Sequence, residues 1–278
     1  MIVDAHHHFW DPARAAYPWL TDDLARIRRA FGPADLRPLL DAGGIDATVL
    51  VQTRSSLEET REFLATAAAV PFILGVVGWV DLTDRAVAEV IASLRDGPGG
   101  DRLVGIRHQV HDEPDPAWLL RDDVRRGIRA VADAGLVYDL LVRSRELPAA
   151  RDVVASMPDA RFVIDHLAKP PIRDGALEPW AGLVASFGSF ANASWKLSGL
   201  VTEADWERWT PADLSPYVEH ALDVLGADRL IFGSDWPVCL LAAPYASVLA
   251  TARESTARLT DTERAAVFGR NARAVYGF

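Results

Sequence analysis

The sequence is short of several residue types and patterns, and each shortage excludes a class of protein. Cys239 is the only cysteine among 278 residues, so no intrachain disulfide and no thiolate zinc cluster can form, and a cytoplasmic setting is expected. No apolar run reaches the roughly 18 residues of a membrane-spanning helix. The N-terminus lacks the basic and apolar regions of a secretory signal. No basic block interrupts the net charge of −10, which argues against a nucleic-acid partner.

Apolar residues and tryptophan are, by contrast, plentiful. Hydrophobic residues make up 50% of the chain and charged residues 24%, which is the composition of a globular protein with a large core and not of a disordered one. Nine tryptophans are many for this length, and several stand near the ends of predicted strands.

Eight short apolar runs alternate with segments of helical periodicity. The runs cover residues 2–6, 47–53, 72–80, 103–110, 136–142, 161–167, 194–200 and 229–235. Successive runs start far enough apart for one strand, one helix and two loops. No G-x-G-x-x-G follows a strand, which disfavours a doubly wound sheet. The pattern predicts a (β/α)8 TIM barrel, with residues 1–278 forming a single domain.

Local signals place some of the helix ends. The sequences Ser55-Ser-Leu-Glu58 and Thr260-Asp-Thr-Glu263 predict capping boxes. Pro211 and Pro216 predict that the segment after the seventh strand is divided into short helices.

Histidine and aspartate occupy the ends of three predicted strands, where a (β/α)8 barrel has its active site. The first strand ends in Asp4-Ala-His6-His7-His8, and alternation places Asp4, His6 and His8 on one face. His166 ends the sixth strand and Asp235 ends the eighth. His6, His8, His166 and Asp235 are therefore predicted to act on one metal ion or one oxyanion. The alternatives are a chance histidine triplet or a tag remnant at His6 to His8, a structural His166 and a helix-capping Asp235.

Other residues at strand ends are candidates for substrate contact. Arg107 and His108 end the fourth strand and face opposite ways, so at most one points into the barrel. Gln52 ends the second strand, and Lys169 is either a substrate contact or a solvated loop charge.

The tryptophans offer flat apolar faces that suit stacking on a sugar ring. Trp10, Trp79 and Trp236 are candidates for ligand contact, because they lie near the ends of the first, third and eighth strands, and loop packing is the alternative for them. Trp180, Trp206 and Trp209 are expected to pack the loops.

Three sequence strings carry a family resemblance over the whole chain. DAHHHFWD at 4–11, DHLAKP at 165–170 and FGSDWPV at 232–238 resemble the sugar-lactonase branch of the amidohydrolase superfamily, which includes L-fuconolactonase, L-rhamnonolactonase and 2-pyrone-4,6-dicarboxylate lactonase. The resemblance implies hydrolysis of an aldonolactone such as L-fuconolactone, a small-molecule substrate and no organic cofactor. It also implies Asp235 as the general base for water, with His6, His8 and His166 polarising the carbonyl directly or through one Zn²⁺.

The chain departs from the two-metal members of this superfamily at two positions. Those members place a bridging Lys or Glu after the fourth strand and a His after the fifth, whereas this sequence has Arg107-His108-Gln109 and no His in 137–142. The resemblance then implies one divalent ion, held by His6, His8, His166 and Asp235, or none. The rival functions are a metal-dependent decarboxylase or amide hydrolase and a non-catalytic sugar-acid-binding barrel. A monomer or a small homo-oligomer fits the sequence.

Overall fold

Eight parallel strands in sequential order form the centre of the fold, in a computed structural model that describes residues 1–278. The strands are β1 (Val3–His7), β2 (Ala47–Val51), β3 (Ile73–Gly78), β4 (Leu103–His108), β5 (Val137–Leu140), β6 (Arg161–Ile164), β7 (Ala193–Leu197) and β8 (Leu230–Phe232). The barrel closes just beyond β8, where Asp235 N donates to His6 O at 2.8 Å and His8 N donates to Trp236 O at 2.7 Å. The predicted (β/α)8 barrel is confirmed.

Helices cover the outside of the barrel. They are α1 (Pro33–Gly43), α2 (Leu57–Ala69), α3 (Val87–Asp96), α4 (Asp122–Asp133), α5 (Leu147–Ser156), α6 (Trp180–Ala185), α7 (Leu200–Glu203), α8 (Pro211–Leu225), α9 (Tyr245–Ser255), α10 (Asp261–Ala265) and α11 (Asn271–Tyr276). A π-helical turn, Ala266–Arg270, joins the last two. None of the helices combines the length and the hydropathy that crossing a bilayer demands.

Two of the local predictions need correction. The cap of α2 is Ser56, whose side chain accepts from Glu59 N, so the capping box predicted at Ser55 is one residue out of register. Pro216 lies inside α8 and does not divide it, while Pro211 occupies the first turn, where a missing N–H costs nothing. The capping box of Thr260 and Glu263 is confirmed.

Apolar side chains fill both sides of the sheet, as parallel strands require. Inside the barrel, twelve buried residues form one cluster: Val3, Ala5, Ala47, Val49, Val51, Val77, Val104, Val137, Val163, Ile231, Ala272 and Tyr276. The last two come from α11, which closes the amino-terminal end of the barrel. A larger cluster of 73 buried residues lies between the sheet and the helices. This solid core leaves only the carboxyl ends of the strands for chemistry.

The predicted alternation along β1 is wrong at Asp4. The pairing of β1 with β2 shifts register between Asp4 and His7. Ala5 belongs to the interior cluster, and His6, the next residue, also faces the interior, where it lies beside Asp165. Asp4 instead accepts a hydrogen bond from Tyr245 of α9 on the outside. The irregularity changes the parity of the strand and sets Asp4 apart from His6 and His8.

Candidate active site

Three imidazoles and one carboxylate meet at the carboxyl end of the barrel. His6 and His8 come from β1 and the residue after it, and their Nε2 atoms are 3.1 Å apart. Oδ1 of Asp235 lies 3.4 Å from Nε2 of His8, 3.7 Å from that of His6 and 3.9 Å from that of His166. All four residues are at least 96% buried. The structure thus brings together the four predicted catalytic residues.

Neighbouring backbone and hydroxyl groups orient the imidazoles. His8 Nδ1 lies 2.8 Å from the carbonyl oxygen of Val51, and because a carbonyl only accepts, Nδ1 carries the proton. Nε2 of His8, on the opposite side of the ring, points at Asp235 and His6. His166 Nδ1 forms a hydrogen bond of 2.9 Å with Ser198 Oγ at the end of β7. These partners hold each ring in a fixed orientation.

The loop after β6 folds in an unusual way to present His166. His166, Leu167, Ala168 and Lys169 all have positive φ, between 49° and 58°. The turn is held by a hydrogen bond from Trp180 Nε1 to Leu167 O at 2.7 Å. Asp235 also has a positive φ, of 57°. Such strained backbone is concentrated at functional sites.

Gly199 makes room for this arrangement. It follows β7 with a φ of 65°, and a Cβ built there would lie 2.5 Å from Nδ1 of His166 and 3.2 Å from Oδ2 of Asp235. No other residue fits so close to the site.

Burial controls the protonation of these groups. It lowers the pKa of His166 to about 4 and that of His6 well below its ordinary value, so both rings are neutral near pH 7. Burial alone would raise the pKa of Asp235, but His166 and His8 bring it below its ordinary value. The site therefore holds an ionised carboxylate beside two neutral imidazoles, those of His6 and His166, where it can accept a proton or bind a cation.

A layer of buried charges lies directly beneath His6. Asp165 Oδ1 is 3.3 Å from His6 Nδ1 and 3.0 Å from Lys196 Nζ, and its Oδ2 accepts from Arg107 Nη1 at 2.9 Å. Lys196 also donates to Asp139 Oδ2 at 2.6 Å, which accepts from Tyr276 as well. Burial raises the pKa of Asp139 to about 6, against the opposing effect of Lys196. Two cations balance two carboxylates here.

An open cavity of about 400 Å³ lies above the site. His8, Arg107, His166 and Asp235 form its floor. The remaining wall residues are Trp19, Leu24, Thr53, Gln109, His111, Asp112, Leu141, Arg143, Lys169, Thr202, Glu203, Trp206, Val238 and Leu241. The charged residues of this lining are equal in number: the cations are Arg107, Arg143 and Lys169, and the carboxylates are Asp112, Glu203 and Asp235. The cavity therefore has no net charge to select a charged ligand.

The tryptophans predicted to stack on a sugar do not line the cavity. Trp10 and Trp236 are buried against Phe31 in edge-to-face contacts, with ring centroids 5.5 and 5.3 Å apart. Trp79 donates through Nε1 to His108. The geometry therefore does not support direct contact between these three tryptophans and a ligand. Trp19 and Trp206 line the cavity instead. Trp206 was expected to pack the loops, and Trp19 had no predicted role.

The remaining predicted contacts divide in the same way. Arg107 faces the cavity and His108 does not, because the ring of His108 stacks on Trp118 and its Nε2 lies 2.7 Å from Glu113 Oε1. Gln52 is buried below the floor, where its Oε1 accepts from Arg107. Lys169 lines the cavity and is paired with Glu203 at 2.6 Å.

Sequence reasoning missed several residues of the site. Lys196 and Ser198 could be predicted as plausible lining positions at the end of the seventh strand, but the sequence assigned no specific chemistry to them or to Asp165. His111 and Arg143 were not predicted at all. The available signal for these two was their position after β4 and β5, since each follows an apolar strand at the catalytic end of the barrel.

The donor set fits a divalent metal ion. His6, His8 and Asp235 each offer an atom, and these atoms lie within 4.8 Å of one another. Two nitrogens bound tetrahedrally to zinc at about 2.0–2.1 Å lie about 3.3 Å apart, close to the 3.1 Å between His6 Nε2 and His8 Nε2. Imidazole and carboxylate suit zinc, and Arg107 and Lys196 already neutralise the carboxylate of Asp165.

The sequence model of the amidohydrolase family matches residues 3–278. This chain belongs to the amidohydrolase family. It is 38% identical to an L-fucono-1,5-lactonase of Burkholderia multivorans, over 99% of this chain and 95% of that protein. It is 40% identical to an L-fucono-1,5-lactonase of Burkholderia ambifaria, over 97% of this chain and 93% of that protein. The predicted family is confirmed.

Among solved structures, an amidohydrolase of Burkholderia multivorans with bound zinc superposes with a TM-score of 0.95. It shares 36% sequence identity, and the match covers 100% of this chain and 99% of that one. A relative of this fold and family thus holds zinc.

Proposed function

We propose that this amidohydrolase opens the ring of a neutral aldonolactone, with L-fucono-1,5-lactone as the first substrate to test. The observation that carries the proposal is the approach of one ionised carboxylate, Asp235, to the Nε2 atoms of three imidazoles on a cavity floor. Two relatives at 38% and 40% identity are L-fucono-1,5-lactonases. The balanced charge of the cavity lining supports a neutral ligand.

Asp235 moves the proton in this proposal. Its carboxylate takes a proton from water as the water oxygen bonds to the lactone carbonyl carbon, and a tetrahedral oxyanion forms. The bond from that carbon to the ring oxygen then breaks, and Asp235 returns the proton to the leaving oxygen. The product is an open-chain hydroxy acid, which releases a proton at neutral pH.

The imidazoles hold the developing oxyanion and a metal ion if one is bound. His6, His8 and Asp235 would hold Zn²⁺, which as a Lewis acid polarises the carbonyl. His166, fixed by Ser198, borders the same space and can donate to the oxyanion from Nε2 when Nδ1 accepts from the hydroxyl. Removing one such donor commonly costs about 3–4 kcal/mol in kcat.

A panel of lactones in a pH-stat tests the proposal. The panel holds 1,4- and 1,5-lactones of fuconate, galactonate, rhamnonate and arabinonate configuration, and the uncatalysed rate is subtracted from each. We expect acid release with at least one 1,5-lactone, at a kcat within the ordinary range of about 1–10³ s⁻¹. Acid release from none of them, with the protein folded and zinc supplied, would overturn the proposal and favour a non-catalytic barrel.

A further inference from the structure

The wall of the cavity is divided into two halves that differ in chemistry. Residues from the loops after β1, β7 and β8 supply Trp19, Leu24, Trp206, Val238 and Leu241, which we call the apolar sector. Residues from the loops after β2, β4, β5 and β6 supply Thr53, Gln109, His111, Asp112, Arg143 and Lys169, with Leu141 as the one apolar residue among them, and we call this side the polar sector. Because β8 and β1 are neighbours in the closed barrel, each sector is one continuous side of the cavity.

The indole groups of the apolar sector offer carbon and not N–H to a ligand. Trp206 Nε1 donates to Thr202 O at 2.8 Å. Trp19 Nε1 is buried, out of reach from the cavity. Two polar residues, Thr202 and Glu203, also lie on this side of the cavity. Thr202 Oγ1 donates a hydrogen bond to Gly199 O, and Glu203 forms an ion pair with Lys169. A hydroxyl placed against Trp19, Leu24, Val238 and Leu241 would face carbon and would lose hydrogen bonds to water there, whereas a methyl group loses none.

Hydrogen bonds between loops hold the apolar sector in place. Arg26, from the loop after β1, donates to Leu241 O at 2.6 Å and to Glu207 at 2.9 Å. Trp209 Nε1 donates to Ala242 O at 3.0 Å. The three loops are thereby linked into one surface. The polar sector, in contrast, contains a cation without a partner, because no side-chain hydrogen bond or ion pair engages the Arg143 guanidinium.

We infer that the apolar sector receives the C5 methyl group of a 6-deoxy-1,5-lactone, while the polar sector binds the ring hydroxyls. L-fucono-1,5-lactone carries hydroxyls on C2 to C4 and a methyl on C5, which matches the two sides. Trp206 and Val238 then determine the preference for methyl over hydroxymethyl at C5. The inference rests on the proposed lactonase function.

Three lactones of the same ring configuration isolate the group at C5. L-fucono-1,5-lactone carries methyl, L-galactono-1,5-lactone carries hydroxymethyl and D-arabinono-1,5-lactone carries hydrogen. We expect kcat/KM for the methyl compound to exceed that of each other lactone by about tenfold, in line with the 10–200-fold that one methylene is worth in an apolar pocket. A wild-type preference for the hydroxymethyl lactone would overturn the inference while the lactonase function stands.

Variants separate specificity from general damage. Val238→Thr keeps the size of the side chain and adds a hydroxyl, so it should lower the methyl-to-hydroxymethyl ratio severalfold. Trp206→Ala should lower the methyl-to-hydrogen ratio, and Trp206→Phe should keep it. Arg143→Met, in the polar sector, should lower kcat/KM for all three lactones alike. The inference is overturned if the methyl-to-hydroxymethyl ratio is unchanged in Val238→Thr. It is also overturned if Arg143→Met changes that ratio as much as Val238→Thr does. Hydrolysis of none of the three overturns the proposed function together with it.

Discussion

Asp235 is the residue on which the proposed chemistry depends, because it is the one carboxylate within reach of all three site imidazoles. Replacing it in Asp235→Asn keeps the shape and removes the proton acceptor. We expect kcat to fall by about 10²–10⁴-fold, the usual contribution of positioned proton transfer. The measurement is initial acid release in a pH-stat with saturating lactone.

Two controls accompany this variant. Circular dichroism should show an unchanged fold, and the quenching of tryptophan fluorescence by the open-chain acid should show that the cavity still binds. Retention of more than about a tenth of the wild-type kcat would contradict the assignment of Asp235 as the base.

Lys196 is expected to contribute to the stability of the fold and not to the reaction. It is fully buried between Asp139 and Asp165, with Nζ···O distances of 2.6 and 3.0 Å. Lys196→Met leaves a carboxylate uncompensated, and removing one partner of a buried pair typically costs about 3–5 kcal/mol. We therefore expect the free energy of unfolding to fall by that amount in equilibrium urea denaturation.

The double variant Lys196→Met/Asp139→Asn checks the cause. It removes the stranded charge, while Asp165 keeps its partner Arg107 at 2.9 Å. We expect the double variant to be more stable than Lys196→Met alone. If it is less stable by the sum of the two single effects, the charge balance of this layer is not what holds it together.

These residues also show what a sequence can and cannot reveal. His6, His8, His166 and Asp235 could be predicted because each ends a strand, and strand ends follow from the apolar pattern. The pairing of Lys196 with Asp139 joins β7 to β5, two strands that are not neighbours, and no local pattern contains that information.

At the scale of elements, the loop after β6 stores backbone strain next to the site. Ala168 has a φ of 58° and is fully buried. The left-handed conformation costs an L-residue roughly 1–2 kcal/mol, which glycine avoids, and the lost methyl burial costs about 0.8 kcal/mol. We expect Ala168→Gly to unfold in urea with a free energy within about 1 kcal/mol of wild type.

A matched control lies in α5, where Ala150 is equally buried. Ala150→Gly loses the same methyl and about 1 kcal/mol of helix propensity, without any relief of strain. It should therefore be less stable than Ala168→Gly by about 2 kcal/mol. Equal losses in the two variants would show that the turn is not strained.

Elements were predicted well where a pattern repeats and poorly where it breaks. All eight strands follow from apolar runs, although β8 ends at Phe232 and the predicted run extends to 235. The extra residues are Gly233, Ser234 and Asp235, and the positive φ of Asp235, 57°, is incompatible with a strand. The register shift in β1 has no sequence signature, so the outward position of Asp4 could not be predicted.

At the scale of the whole molecule, a bound metal ion links the site to global stability. The proposed ligands come from both ends of the chain, His6 and His8 from the start and Asp235 from the end, so Zn²⁺ would bridge the seam that closes the barrel. A ligand that binds only the folded state adds about 2.7 kcal/mol at a hundred times its Kd. For a chain of this size we expect Tm to rise by about 5–10 °C when Zn²⁺ is returned to chelator-treated protein.

The histidine triplet supplies its own control for this measurement. His8→Gln removes a proposed ligand and should abolish most of the rise in Tm, whereas His7→Gln should keep it. His7 is equally buried, but its Nε2 lies 2.9 Å from Thr48 Oγ1 and it is not one of the proposed metal ligands. Differential scanning calorimetry gives Tm, and elemental analysis gives the zinc content of each variant. A rise in Tm that survives in His8→Gln, or that disappears equally in His7→Gln, would place the ion elsewhere and remove His8 from the proposed metal site.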